Sequence, residues 1–335
     1  MQSIAALGTI ALLASCGGGD GGTTPVTTVF TTPTQVVEPA RSSAAIAAAA
    51  VANSSTNDCA DVRPFYWEIG NGAQRLASGS VNAAGNPTTV ASDTSLSIAS
   101  ASKWLYSSYV AQRKSGVLDA TDIKMLTLRS GYTTFSDCQP TQTVDECLAD
   151  GLNDRHSVLT DDRFFYGGGH MEKHASMIGL GGMGNAALAD ALRGQLGNDI
   201  EFSFNQPLLA GGIQTNADNY ARFLRKILNN QLRISALLGT SSVCTNPDTC
   251  PAGQAIYTPS PPAQSWHYSI GHWVEDDPVV GDGSFSSAGA FGFYPWIDSG
   301  KTTYGIVARE ALGGTLGSIA CGKLIRSAWM AAAKG

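Results

Sequence analysis

The sequence predicts a mixed α/β (α+β) fold: one antiparallel sheet, flanked by helices, assembled from both ends of the chain around an inserted helical lobe. Three observations predict it. Strand-like segments cluster after residue 64 and again after residue 266, helical patterns fill the interval, and no internal repeat divides the chain.

In chain order, Glu38 to Ala52 is rich in Ala and Ser and favours a helix, and Asn57-Asp58 marks a break before Cys59. Phe65 to Gly70 and Arg75 to Val81 are aromatic and β-branched enough for two strands, and Asn71-Gly72 between them suits the primed turn of a hairpin. Trp104, Leu105, Tyr109 and Val110 give a helix from Ser102 that stops at Gly116. Ala186 to Leu196 and Ala217 to Leu228 repeat apolar residues every three or four positions, with Thr215 or Asn216 as the cap of the second. His267 to Ile270, His272 to Val274, Gly292 to Ile297 and Thr302 to Ala308 carry the bias of strands, and Leu316 to Ala333 closes the chain as a helix. The expected domain covers residues 38–335, its helical lobe roughly 105–235.

The 335 residues, 43% hydrophobic, suffice for one large domain or two closely packed lobes. A net charge of −6 with scattered lysines and arginines argues against nucleic acid as a partner. The apolar run from Met1 to Ala14 is too short to span a bilayer. It ends in Leu13-Ala14-Ser15-Cys16 and a Gly-rich stretch, and resembles a bacterial lipoprotein signal peptide, although no Lys or Arg precedes it. That resemblance implies cleavage after residue 15, a lipidated Cys16, a tether over 16–37 and a place in the bacterial cell envelope, with membrane contact through the lipid alone. The other six cysteines suit an oxidising compartment such as the periplasm. Cys138–Cys147 and Cys244–Cys250 would close short loops and Cys59–Cys321 would join the ends of the domain, other pairings remaining open. With no C-x-x-C pair to nucleate a cluster, neither metal nor cofactor is expected.

The chemistry starts at Ser100 and Lys103. Residues three apart share a helix face, so a desolvated Lys103 amine can lose its proton and act as base toward the Ser100 hydroxyl. Further along stand Gly116-Val117-Leu118-Asp119, Leu126-Thr127-Leu128-Arg129-Ser130-Gly131, Tyr166-Gly167-Gly168, Gly211-Gly212-Ile213-Gln214-Thr215-Asn216-Ala217 and Ser287-Ala288-Gly289-Ala290. With these five blocks in order, the chain resembles the serine β-lactamase and penicillin-binding protein superfamily, especially the class C-like branch with its family VIII-type esterases and D,D-carboxypeptidases.

The resemblance implies a β-lactamase/transpeptidase-like fold and an acyl-enzyme on Ser100. It implies that Lys103 and Tyr166 share the proton transfers, with a Lys103 ammonium stabilising the Tyr166 phenolate, and that the backbone N–H groups of Ser100 and Ala290 form the oxyanion hole. Gly168, Ser287, Ala288 and Gly289 would fall at substrate-binding positions. Two departures bear on substrate: Gly168 stands where the family has Asn, and Ser287 where it has Lys. Losing that cation removes a charge-assisted bond of roughly 1.5–3 kcal/mol to a substrate carboxylate. Arg309, after the last strand, is a possible replacement, though a surface arginine is the simpler reading.

Other patterns lack their context. Gly179-Leu180-Gly181-Gly182-Met183-Gly184 matches a dinucleotide fingerprint but follows a helical stretch, and Gly317 to Leu324 lacks the Ser/Thr of a P-loop. His170 and His174 are one turn apart, with Glu172 misplaced for a zinc protease. His267 and His272 fit structural roles better than the substrate cleft. The expectation is an envelope-anchored serine hydrolase of a small or oligomeric ester or amide, its oligomeric state open. The alternatives are a D,D-carboxypeptidase or β-lactamase and, from a different class, a catalytically silent envelope binding protein.

Overall fold

The computed structural model describes residues 42–261 and 264–334. The signal segment 1–15, Cys16 and the tether 16–37 lie outside the described residues. Eight α-helices occur among those described: α1 (Ser43–Asn53), α2 (Ser102–Arg113), α3 (Ala120–Leu126), α4 (Val144–Ala149), α5 (Gly169–Ala175), α6 (Asn185–Leu196), α7 (Ala217–Leu228) and α8 (Thr315–Ala333). The strands are β1 (Phe65–Asn71), β2 (Arg75–Val81), β3 (Leu96–Ser97), β4 (Phe164–Phe165), β5 (Ser203–Phe204), β6 (Ile213–Thr215), β7 (Val243–Cys244), β8 (Ala255–Tyr257), β9 (His267–Tyr268), β10 (Trp273–Glu275), β11 (Ser284–Ser286), β12 (Tyr294–Ile297) and β13 (Thr303–Ala308).

The main sheet has the order β2-β1-β13-β12-β11-β10-β9-β7. The two ends of the domain meet toward one edge of this sheet: β1, second from that edge, pairs antiparallel with β13, Tyr66 opposite Ala308. Residues 65–70 of β1 are all buried rather than alternating. The reason is cover on both faces: α1 and α8 pack together on the sheet, and α7 packs on β13 from the inserted lobe. α1 presents only Ala44, Ala45, Ala48 and Ala52 inward, which lets it approach closely, and the Cys59–Cys321 disulfide ties the segment after it to α8. The other two disulfides are Cys138–Cys147 and Cys244–Cys250. Gly322, inside the P-loop-like stretch, brings α8 onto the sheet, since a Cβ there would meet the Tyr294 ring at 2.5 Å.

Two buried polar networks brace the sheet, one within it and one between it and α8. Glu68 accepts hydrogen bonds from the hydroxyls of Tyr66 and Tyr304, each at 2.8 Å, and Arg326 of α8 reaches Glu275 of β10 at 2.7 Å. Removing one partner of such a pair costs about 3–5 kcal/mol, because a buried charge is left behind.

The Asn-Gly pair does not form the expected primed turn. Neither Asn71 nor Gly72 has a positive φ. The Asn71 side chain instead accepts the N–H groups of Ala73 and Gln74, both at 2.9 Å, and residues 72–74 become the loop. A side-chain acceptor at the first position competes with the turn the dipeptide favours. Between β2 and β7 runs the helical lobe, α2 to α7, accompanied by the small sheet β3-β6-β5. α2 is buried from Ser102 to Ala111, as befits a helix at the centre of its lobe. The glycine cluster at 179–184 follows α5 and a helical turn, with no strand before it.

Candidate active site

Ser100 sits in a 3-10 turn, Ala99–Ala101, that leads into α2. The turn is fixed from several sides. The Ile98 N–H donates to the Ile213 carbonyl on β6 at 3.1 Å, and the Tyr220 hydroxyl of α7 donates to the Ala101 carbonyl at 2.9 Å. The Ser287 hydroxyl donates to the Ser100 carbonyl at 3.2 Å. Ala99 takes a positive φ of 44°, a strained conformation for alanine that the surrounding bonds hold in place. Gly289 completes the clamp: a Cβ there would meet the Ile98 carbonyl oxygen at 2.1 Å, so only glycine permits this approach.

Lys103 is 4% exposed. Its Nζ lies 3.0 Å from the Ser100 Oγ and donates to the Ala210 carbonyl at 2.9 Å. Burial pulls the amine down to about 8, against the opposing pull of Glu172. Tyr166 is half-buried, stacked on Trp273 with ring centres 5.2 Å apart, and Lys103 Nζ lies 4.9 Å from its ring centre. Burial pushes the Tyr166 phenol up to about 12, which hydrogen bonds from Ser100 and Trp273 offset only in part. The stabilised phenolate expected of this pair is therefore not what the site favours. At neutral pH the phenol keeps its proton, and of the two groups the Lys103 amine is the one drawn toward neutrality.

Glu172 of α5 is buried behind Lys103. Its carboxylate accepts the N–H groups of Leu209 at 3.0 Å and Ala210 at 2.9 Å, and burial raises it to about 7. His170, two residues earlier, donates from Nε2 to the Phe165 carbonyl at 3.0 Å and accepts the Ser130 hydroxyl on Nδ1 at 2.8 Å, which fixes the chain entering Tyr166. His174 bridges the Tyr106 hydroxyl and Asp122. Both rings are thus committed within the lobe. Among the described residues no group of three or more His, Cys, Asp and Glu side chains is placed to hold a metal. His272 stacks on Trp104 and accepts the Gly239 N–H, and His267 pairs with Asp276.

Ser100 borders two cavities. One, of about 500 Å3, is also lined by Lys103, Phe135, Gly168, Ala210 and Phe291. The other, of about 80 Å3, is lined by Tyr166, Trp266, Trp273, Ala288 and Ala290. Ser100 and Ala290, the expected oxyanion pair, thus share a wall, and the Ala290 N–H takes no part in the backbone bonds of its turn. At Gly168 a Cβ would meet the Phe135 ring at 3.3 Å, so Phe135 fills the space of the missing side chain. Ser287 and Gly289 lie behind Ser100 and support the backbone of its turn, on the wall of neither cavity. Arg309 lies against Gly292, also off both walls.

No family model matches this sequence, and no curated protein does. Solved structures are similar over most of it. EstCE1, described as a hydrolase with promiscuous acyltransferase activity, aligns with a TM-score of 0.62 at 13% identity, covering 86% of this chain and 98% of its own. A mutant of simvastatin synthase from Aspergillus terreus aligns at 0.59 and 11% identity, covering 88% and 96%. A penicillin-binding protein from Bacillus halodurans aligns at 0.59 and 11%, covering 79% and 97%. The fold is the β-lactamase/transpeptidase-like fold that these solved structures share. Within this β-lactamase-like fold, sequence reasoning missed Glu172 and Phe135. Glu172 was visible only as part of His170-Met171-Glu172-Lys173-His174, a pattern that suggests metal before it suggests a support for Lys103. Phe135 carried no signal, since only the folded chain brings it to Gly168.

Proposed function

We propose that this protein is an envelope-anchored serine hydrolase that cleaves an uncharged carboxylic ester or amide through an acyl-enzyme on Ser100. The observation that carries the reading is the 3.0 Å contact between Lys103 Nζ and Ser100 Oγ at a buried amine lowered to about 8. At pH 7 such an amine is neutral in about one molecule in ten, against a few in ten thousand for an ordinary lysine. Lys103 takes the Ser100 proton as Oγ attacks the carbonyl carbon, and the charge on the carbonyl oxygen meets the Ser100 and Ala290 N–H groups. As the bond to the leaving group breaks, Tyr166 gives it a proton and is reprotonated by Lys103. Water then repeats the sequence and releases the acid. Among the described residues neither cavity wall carries an Arg, Asp or Glu, and Lys103 is the single cation on them, which supports an uncharged substrate over a peptidoglycan peptide or a β-lactam. Three disulfides support an oxidising compartment, and the proposed anchor is Cys16.

The test is intact-mass spectrometry after treatment with a fluorophosphonate, with acid release from ethyl butyrate and penicillin labelling in parallel. A Ser100-dependent adduct with ester turnover is expected. A stable penicilloyl adduct would move the reading to a peptidase, and no adduct with no turnover would leave a binding protein. Palmitate labelling lost in Cys16→Ser tests the anchor.

A further inference from the structure

The two cavities beside Ser100 differ several-fold in volume, about 500 Å3 against about 80 Å3, and the proton-transfer groups are divided between them. Resting on the Ser100 hydrolase reading, we propose that the protein selects esters joining a bulky, uncharged acyl group to a small alcohol, with the acyl group in the larger cavity and the alkoxy group in the smaller.

The direction follows from Tyr166. When the C–O bond of the tetrahedral intermediate breaks, the electron pair stays on the alkoxy oxygen, which needs a proton at that moment. Tyr166 lines the smaller cavity and not the larger, and its phenol keeps its proton at neutral pH. The alkoxy oxygen must therefore leave on that side. Lys103 lines the larger cavity alone, with its amine already engaged by Ser100 and Ala210, so the acyl group extends past it.

The size limit follows from the walls. The smaller cavity, about 80 Å3 against about 500 Å3, sets the tighter limit and favours a short alkoxy group such as methoxy or ethoxy. Its walls are stiff. Trp273 stacks on Tyr166 and meets Trp266 edge-on at 5.9 Å, and Trp266 is 1% exposed, so none of the three can swing aside without opening the core. The larger cavity combines Phe135, Leu208 and Phe291 with the neutral polar groups of Ser136, Asn205 and Gln206. That lining fits an acyl group containing an aromatic ring or branched chain and a hydroxyl or amide.

The test measures acid release by the full chain from two ester series. Along methyl, ethyl, butyl and benzyl esters of 3-phenylpropanoic acid, kcat/KM should fall at least about tenfold between ethyl and benzyl, as expected when a small, stiff-walled pocket disfavours added carbons. Along methyl acetate, butyrate and 3-phenylpropanoate it should rise. Replacing Ile319, on the wall of the smaller cavity, in Ile319→Ala should raise the butyl-to-methyl ratio. Benzyl esters cleaved as well as methyl esters, or bulky acyl groups refused, would overturn the partition while a Ser100 fluorophosphonate adduct kept the hydrolase reading intact. No adduct and no turnover of any ester would overturn both.

Discussion

Lys103 and Glu172 grip Ala210 from opposite sides: the Lys103 Nζ donates to its carbonyl oxygen at 2.9 Å, and Glu172 accepts its N–H at 2.9 Å. The Lys103 amine and the buried carboxyl group of α5 are therefore positioned by one shared backbone residue.

Ester hydrolysis should rise with pH and reach half its maximum near pH 8, because the neutral Lys103 amine is the active form and burial sets it at about 8. A kcat/KM profile flat from pH 6 to 9 would contradict this role. Lys103→Ala should lose about 10²–10⁴-fold in kcat/KM with its circular dichroism unchanged.

Glu172→Gln should move that midpoint below the wild-type value, since the Glu172 charge opposes the lowering of Lys103. The amide also leaves one of two buried N–H groups without an acceptor, a loss of about 1–3 kcal/mol. A variant that melts earlier while keeping the wild-type pH profile would reduce Glu172 to a structural strut.

The domain should lose stability in mild acid. Burial holds His170 and His272 at about 4, below the usual 6.5, so the unfolded chain binds protons there that the folded one refuses. Their contribution is full above pH 6.5 and is lost as pH falls toward 4. Glu172, raised to about 7, works in the opposite sense, its contribution full below its ordinary 4.5 and lost as pH rises through 7. Urea midpoints at four pH values between 4.5 and 7.5 should show a slope that His272→Gln makes shallower by up to one proton. An unchanged slope would show that His272 is protonated in the folded state.

The three disulfides should differ in weight. Cys59–Cys321 spans 262 residues and Cys244–Cys250 only 6, so removing each as a Ser pair should cost about 5 and about 2 kcal/mol in the loop-entropy picture. Equal losses in denaturant midpoints would point to strain or residual structure instead of loop length.

Much of the frame was legible because periodicity and punctuation agree in this chain. The helix at Ala217 to Leu228, its Asn216 cap, and the strand pair that β1 and β2 became all stand where spacing put them. β11 escaped notice because Ser284-Phe285-Ser286 is polar and short, although all three residues are buried in the sheet. The site was legible only where its residues are neighbours in sequence, as Ser100 and Lys103 are. Glu172, Phe135 and the Ile98–Gly289 contact depend on segments far apart in the chain, and no local pattern encodes such meetings.

The pairing of β1 with β13 also sets a folding schedule. The hairpin β1–β2 is separated from its partner, Thr303–Ala308, by the whole inserted lobe, so this side of the sheet cannot close until that later segment has been made. A contact of such long sequence separation is slow to form, and a two-stranded hairpin is barely stable by itself. Until then the apolar β1 lacks the strand that covers it, and a truncation before Thr303 should yield an aggregate instead of a smaller domain.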